Sequence, residues 1–91
     1  MANNFKIQSN HFRNEIRLKL FGDFDGSSAY ELINILKNYK NDRNQIFIDT
    51  NNTTSIHPFG KEVFIKNVGV FDINTNKIII TGKHKFSLTQ Q

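Results

Sequence analysis

Ile46-Phe47-Ile48-Asp49 and Ile56-His57-Pro58-Phe59-Gly60, joined by the polar loop Thr50-Asn51-Asn52-Thr53-Thr54-Ser55, decide how this chain is read. The first segment is a short continuous apolar run, the pattern of a central strand covered on both faces. The second opens a helix. Pro58 suits its first position, where the missing amide costs nothing. Val63, Phe64 and Val68, with Phe59 one turn earlier, then form an apolar stripe, and Gly69 is a plausible stop. A strand that feeds a helix start is where many α/β domains place a ligand or a switch.

The neighbouring segments extend the pattern. Glu15-Ile16-Arg17-Leu18-Lys19-Leu20 alternates cleanly, which predicts a half-buried strand. Phe5-Lys6-Ile7 is a shorter run of the same kind, near enough to pair with it as an antiparallel hairpin across a turn at 11–14. Gly22-Asp23-Phe24-Asp25-Gly26 breaks the strand as a tight loop. Ser28 and Glu31 fit a capping box, with Asp25 adding charge near the helix's positive end. Ala29, Leu32, Ile33, Leu36 and Tyr39 then keep helical spacing on one face. Lys77-Ile78-Ile79-Ile80-Thr81 is another buried strand, and Phe86 and Leu88 suggest that the tail docks once more. The order is β-β-α-β-α-β. A helix between strands joins parallel neighbours by a right-handed crossover. The expected product is an α/β fold: a four-strand mixed sheet with both helices on one face, the strand at 5–7 at an edge and the other three central.

Composition narrows the functional classes. The 91 residues suffice for one small domain, 1–91. The chain has 37% hydrophobic residues, nine Phe and no Trp, the balance of a globular protein. There is no Cys, so disulfides, thiol chemistry and thiolate metal sites are excluded. His11, His57 and His84 are too scattered for a metal signature, and Gly22-x-x-x-Gly26 lacks the Lys-Ser/Thr of a P-loop. No cofactor is expected. No run approaches the ~18 apolar residues of a membrane span, and the first residues lack the layout of a signal peptide; a cytoplasmic protein is expected. Net charge is +4, but the basic residues are dispersed, with only Lys83-His84-Lys85 locally dense. That dispersal argues for a solvated surface rather than a nucleic-acid stripe.

Leu18-Lys19-Leu20-Phe21-Gly22-Asp23-Phe24-Asp25, followed by an Ala-containing helix start, resembles the opening of STAS domains, the sulfate-transporter and anti-sigma-factor-antagonist family. Ile46-Phe47-Ile48-Asp49 resembles that family's second motif strand. The resemblance covers roughly 5–81. It implies a non-enzymatic regulatory module whose partner is a protein, such as an anti-sigma-factor-like kinase. The family opens its next helix with Asp-Ser-Ser-Gly or a close variant, and the first Ser is phosphorylated to release the partner through added charge. Here the place reads His57-Pro58-Phe59-Gly60. The Ser position holds Pro58, which has no hydroxyl, so the usual switch cannot operate there. Thr53, Thr54 and Ser55 carry the nearest hydroxyls, which in loops are usually turn formers. Ten residues follow Thr81, too few for the family's terminal helix.

The expected partner-binding set is Asp23, Asp25, Ser55, His57, Pro58, Phe59, Gly60 and Lys61. Each member also has a plainer role. His57 could act as a base with Asp49 or Ser55 nearby, or simply cap a helix. Asp23 and Asp25 could share a proton or Mg²⁺, or be turn and cap residues. Phe59-Gly60-Lys61 offers free amides and a cation to an anion, or is an ordinary helix start. Phe59 is an anchor if it faces outward and core if it faces inward, and the stripe places it inward. The plainer role is the stronger reading for each, and catalysis is not expected. The second functional reading is a small basic nucleic-acid-binding domain, resting on net charge and the 83–85 tail.

Overall fold

A computed structural model describes residues 4–89. Its strands are β1 (Lys6–His11), β2 (Glu15–Phe24), β3 (Gln45–Asp49), β4 (Thr53–Ile56) and β5 (Ile78–Thr81). Its helices are α1 (Gly26–Asn38), α2 (Pro58–Val70) and the single turn α3 (Lys85–Leu88), with a 3₁₀ turn at Thr75–Lys77. The expected mixed sheet is present in the order β1-β2-β3-β5. β1 pairs with β2 antiparallel, and β2, β3 and β5 run parallel. β5, expected among the central strands, is instead the edge opposite β1.

β4 is an addition to the expected four strands. Residues 53–55 read as loop because they are polar, yet Thr is β-branched and suits a pleated surface. β2 runs for 10 residues, and β3 covers only its first half, Glu15 to Lys19. Its second half, Gly22 to Phe24, pairs parallel with Thr53, Ser55 and Ile56 across a bulge at Gly22/Asp23. Gly22 sits at φ 89°, and a Cβ there would also strike the Asn4 backbone. The Thr53 hydroxyl donates to the Leu20 carbonyl at 3.2 Å, so this buried polar side chain is satisfied.

Both helices lie on one face and seal it. Ile16, Leu18, Leu20 and Phe24 of β2 meet Ile46 and Ile48 of β3 beneath Leu32, Ile33 and Leu36 of α1 and Val63, Phe64 and Val68 of α2. Phe24, fully buried, takes Phe5 and Phe64 edge-on at 5.8 and 6.4 Å. Leu88 docks against this core as expected, whereas Phe86 points to solvent. β3 is covered on one face only: Ile46 and Ile48 are buried, while Gln45, Phe47 and Asp49 lie on the uncovered side. Its continuous apolar run misled because Phe47 is shielded by a guanidinium rather than a helix, with Arg17 at 5.0 Å from the ring. α2 also runs one residue past Gly69 and caps at Phe71.

The C-terminal end of α1 is held from a distance. The Lys77 ammonium donates to the carbonyls of Tyr39, Lys40 and Asp42, satisfying acceptors at the helix's negative end. This ties the α1–β3 loop to the start of β5. Lys77→Met is expected to cost about 1.5–3 kcal/mol, the range for hydrogen bonds to a charged group. Urea unfolding would measure it, with Lys66→Met, an exposed lysine on α2, as the neutral control.

Candidate functional site

Three chain segments meet where β2 ends, where β4 ends and where the two long helices begin. Asp23 stands at their junction. Its carboxylate accepts the Ser55 hydroxyl at 2.6 Å and the Asn4 side-chain amide at 3.2 Å. Its backbone amide donates back to Asn4 Oδ1 at 3.2 Å. The β2–β4 register sets Ser55 directly across from Asp23. The Ser55 and Asn4 hydrogen bonds hold the Asp23 carboxyl below its ordinary pKa, helped by the nearby His57 and opposed by desolvation and by Asp25. Asp23 is thus a fixed anion and a weak base.

Asp25 does a different job. It is the N-cap of α1, a role expected of Ser28. One carboxylate oxygen accepts the Ser28 amide and the hydroxyls of Ser27 and Ser28, each at 2.9 Å. Ser28 is buried and serves the cap as a donor, with the Asp23 carbonyl as a second acceptor at 3.1 Å. A carboxylate three residues nearer the loop reaches the first-turn amides with its charge as well as its lone pairs, and so displaces the serine from the cap position. The two aspartates are thus engaged by different partners, Asp23 by Ser55 and Asn4, and Asp25 by the first turn of α1.

At the other helix start, His57 is the N-cap of α2 and makes no side-chain capping bond. Its backbone amide donates to the Phe24 carbonyl at 2.9 Å. Pro58 takes the first turn as expected. Gly60 is buried against the chain at 24–25, where an added Cβ would fall 2.8 Å from the Asp25 carbonyl carbon. That close approach leaves no room for a side chain on the inward position, and it turns Phe59 outward. Phe59 is 66% exposed, which corrects its placement in the core stripe. Its ring edge lies over Gly26, where a Cβ would come within 2.8 Å of it. Tyr30, one turn further along α1, is also exposed. Lys61 lines a shallow groove of 430 Å³ with Pro58, Glu62, Ile65 and Lys66.

The structure thus brings Asp23, Ser55 and His57 together at one end of the sheet, with Asp25 and Gly60 as the frame behind them; Phe59 flanks α2 on the Gly26 side, and Lys61 lies on the other flank of that helix, in its own groove. Asn4 escaped the sequence reading, because a lone Asn near the start of a chain carries no motif. A second network also escaped it. Thr50 Oγ1 donates to the Thr81 carbonyl at 2.7 Å and accepts the His84 amide at 3.0 Å, and His84 Nε2–H donates to the Thr53 carbonyl at 3.0 Å. Gly82, at φ 95°, makes that turn and was its only sequence signal. His84 is therefore committed to holding β4 in place. Among the described residues no group of three or more His, Asp or Glu side chains could hold a metal ion.

No family model and no curated protein matches the sequence. Solved structures do match the fold. One is Mglu, with a TM-score of 0.70 at 10% identity over 86% of this chain; the chain spans only 20% of that protein's length. Another is the anti-sigma factor antagonist SpoIIAA in its unphosphorylated form, with a TM-score of 0.57 at 12% identity, covering 84% of this chain and 70% of that one. A third is an uncharacterized DUF3478 protein with a SpoIIAA-like fold from Shewanella loihica PV-4, with a TM-score of 0.62 at 11% identity, covering 96% and 72%. The fold is SpoIIAA-like, the STAS-type architecture expected from the sequence. At such identities the likeness is one of fold.

The Asp23 network has a pH signature. A carboxyl held below its ordinary pKa in the folded state adds stability that is present above the unfolded pKa and lost as pH falls through the folded one. The Tm difference between wild type and Asp23→Asn should therefore be full near pH 7, begin to close below about pH 4, and vanish under the folded pKa. In Ser55→Ala the Asp23 carboxyl should titrate higher than in wild type, as followed by carboxyl carbon NMR shifts.

Proposed function

We propose that residues 1–91 act as one non-enzymatic, STAS-like regulatory domain that binds a protein partner in the cytoplasm, without a cofactor. The binding surface is the end of the sheet formed by Asp23, Ser55, His57, Pro58, Phe59 and Lys61, braced by Asp25 and Gly60. The observation that carries the reading is the outward Phe59, 66% exposed on a helix start that is itself fixed by Gly60. A large apolar ring on a rigid mount is a typical interface anchor. The fixed anion Asp23 and, on the other flank of α2, the cation Lys61 offer charge of both signs to orient a partner. No described helix is long and apolar enough to cross a membrane.

The partner class follows from the fold likeness to an anti-sigma factor antagonist: a regulator of the anti-sigma kinase type. Pro58 removes the hydroxyl that the family resemblance assigns to the phospho-switch, so binding here is constitutive. Ser55 is half-buried and already donates to Asp23. A phosphate on it would face that carboxylate and be repelled.

The test uses an anti-sigma-type kinase from the same organism in calorimetric titration, with ATP present and absent. Wild type should bind equally in both conditions. Phe59→Asp should weaken binding by roughly thirtyfold, the scale of an interface hot spot, while keeping the wild-type Tm. Unchanged affinity in Phe59→Asp would sink the surface assignment. Stoichiometric phosphorylation at residues 53–55 would sink the constitutive reading.

A further inference from the structure

Among the described residues the sheet's second face carries no helix, and it presents a repeated pattern of cations over aromatic rings. In the β-sheet register Asn10, Arg17, Phe47 and Ile79 form one row across four strands, and Gln8, Lys19, Asp49 and Thr81 the next. Lys6 and Phe21 are paired beyond them. The Arg17 guanidinium lies 5.0 Å from the Phe47 ring centre and 5.8 Å from that of Phe12, which stands 55% exposed in the β1–β2 turn. The Lys6 ammonium lies 5.3 Å from Phe21.

We infer that this open face is a binding platform for single-stranded RNA. Unpaired bases stack on aromatic faces and guanidinium planes, and their phosphates need cations beside the rings. Phe12 and Phe47 supply rings at one end and Phe21 at the other. The Arg17 and Phe21 positions lie four residues apart on β2, about 13 Å at the usual strand rise, so bases can seat at both ends. Lys6, Arg17 and Lys19 supply the charge between them. The acids on this face are engaged locally: Glu15 pairs with Arg17, and Asp49 accepts the Asn51 amide at 2.9 Å. Arginine's remaining donors stay available to phosphate. Gln8, Asn10 and Gln45 ring the platform with amides that can both donate and accept. That is the chemistry which reads a ribose 2′-hydroxyl and selects RNA over DNA. A protein partner would fit this face less well, because charged lysines are depleted at interface cores.

This site is on the opposite side of the sheet from the helices and is independent of the surface proposed for the protein partner. Fluorescence anisotropy with a labelled oligouridylate of about eight nucleotides tests it over a salt series. Wild type should bind more tightly as salt falls, with a log–log slope near −2 if three cations meet phosphates. Phe12→Ala and Phe47→Ala should each weaken binding by about fivefold or more. Arg17→Gln should flatten the slope by about 0.7. Phe12 lies in an exposed turn, so its variant remains informative if Phe47→Ala fails to fold. Phe59→Asp should bind as wild type does. No binding at low salt would overturn the inference. So would full binding by both Phe12→Ala and Arg17→Gln, which would move the contact to the 83–85 tail. Equal affinity for oligothymidylate would overturn the choice of RNA.

Discussion

Every other strand's position depends on β2. Its 10 residues are longer than any partner, so β1 takes one side along its length while β3 and β4 divide the other. The chain between them, 50–52, carries the pairing from one partner to the other: the Thr50 amide donates to the Thr81 carbonyl at 3.0 Å, and the Asn52 carbonyl accepts the Gly22 amide at 3.2 Å. The buried Thr50 side chain and the exposed Asn51 side chain also bind the turn at Gly82. The bulge at Gly22/Asp23 then sets Asp23 across from Ser55. The buried apolar side of β2 and the polar cluster at its far end are thus two consequences of one pairing geometry.

The parts of this fold that were legible in the sequence are those governed by local periodicity. The alternation at 15–20 and the stripe from Ala29 to Leu36 place residues on a face by geometry alone. The misread parts depend on what lies across from a residue. Thr53 and Ser55 are a strand only because the far half of β2 is left unpaired by β3. Phe47 looks like core in sequence and is shielded by Arg17 on an open face. Phe59 keeps the spacing of the Val63 stripe, yet the chain at 24–25 comes so close to α2 that only Gly60 fits beneath it. Asp25 and Ser28 were both credible caps, and the winner was set by which could reach the amides from an extended backbone. None of these outcomes is encoded in a local window.

The same division explains how a chain can share a fold with SpoIIAA at 12% identity. A core needs apolar volume at the right period, and many sequences meet that demand. Site chemistry, by contrast, depends on one residue at one position, and here the helix start holds Pro58, which has no hydroxyl and serves the first helical position well. Fold and site chemistry are therefore separable, residue by residue. The arrangement at this position is a rigid helix start packed on Gly60, with an outward aromatic side chain beside it.

The two faces of the sheet solve the problem of apolar surface differently. The helix face buries its Ile and Leu residues outright. The open face leaves Phe47 and Phe21 in place and lays charged side chains over them, so ring and cation shield one another from full hydration. That arrangement couples two events. A phosphate that draws Arg17 or Lys6 aside neutralises a charge and uncovers a ring in the same motion. The uncovered ring then gains by accepting another flat surface. Electrostatic capture and stacking on this face would therefore reinforce each other, because each removes what the other must displace.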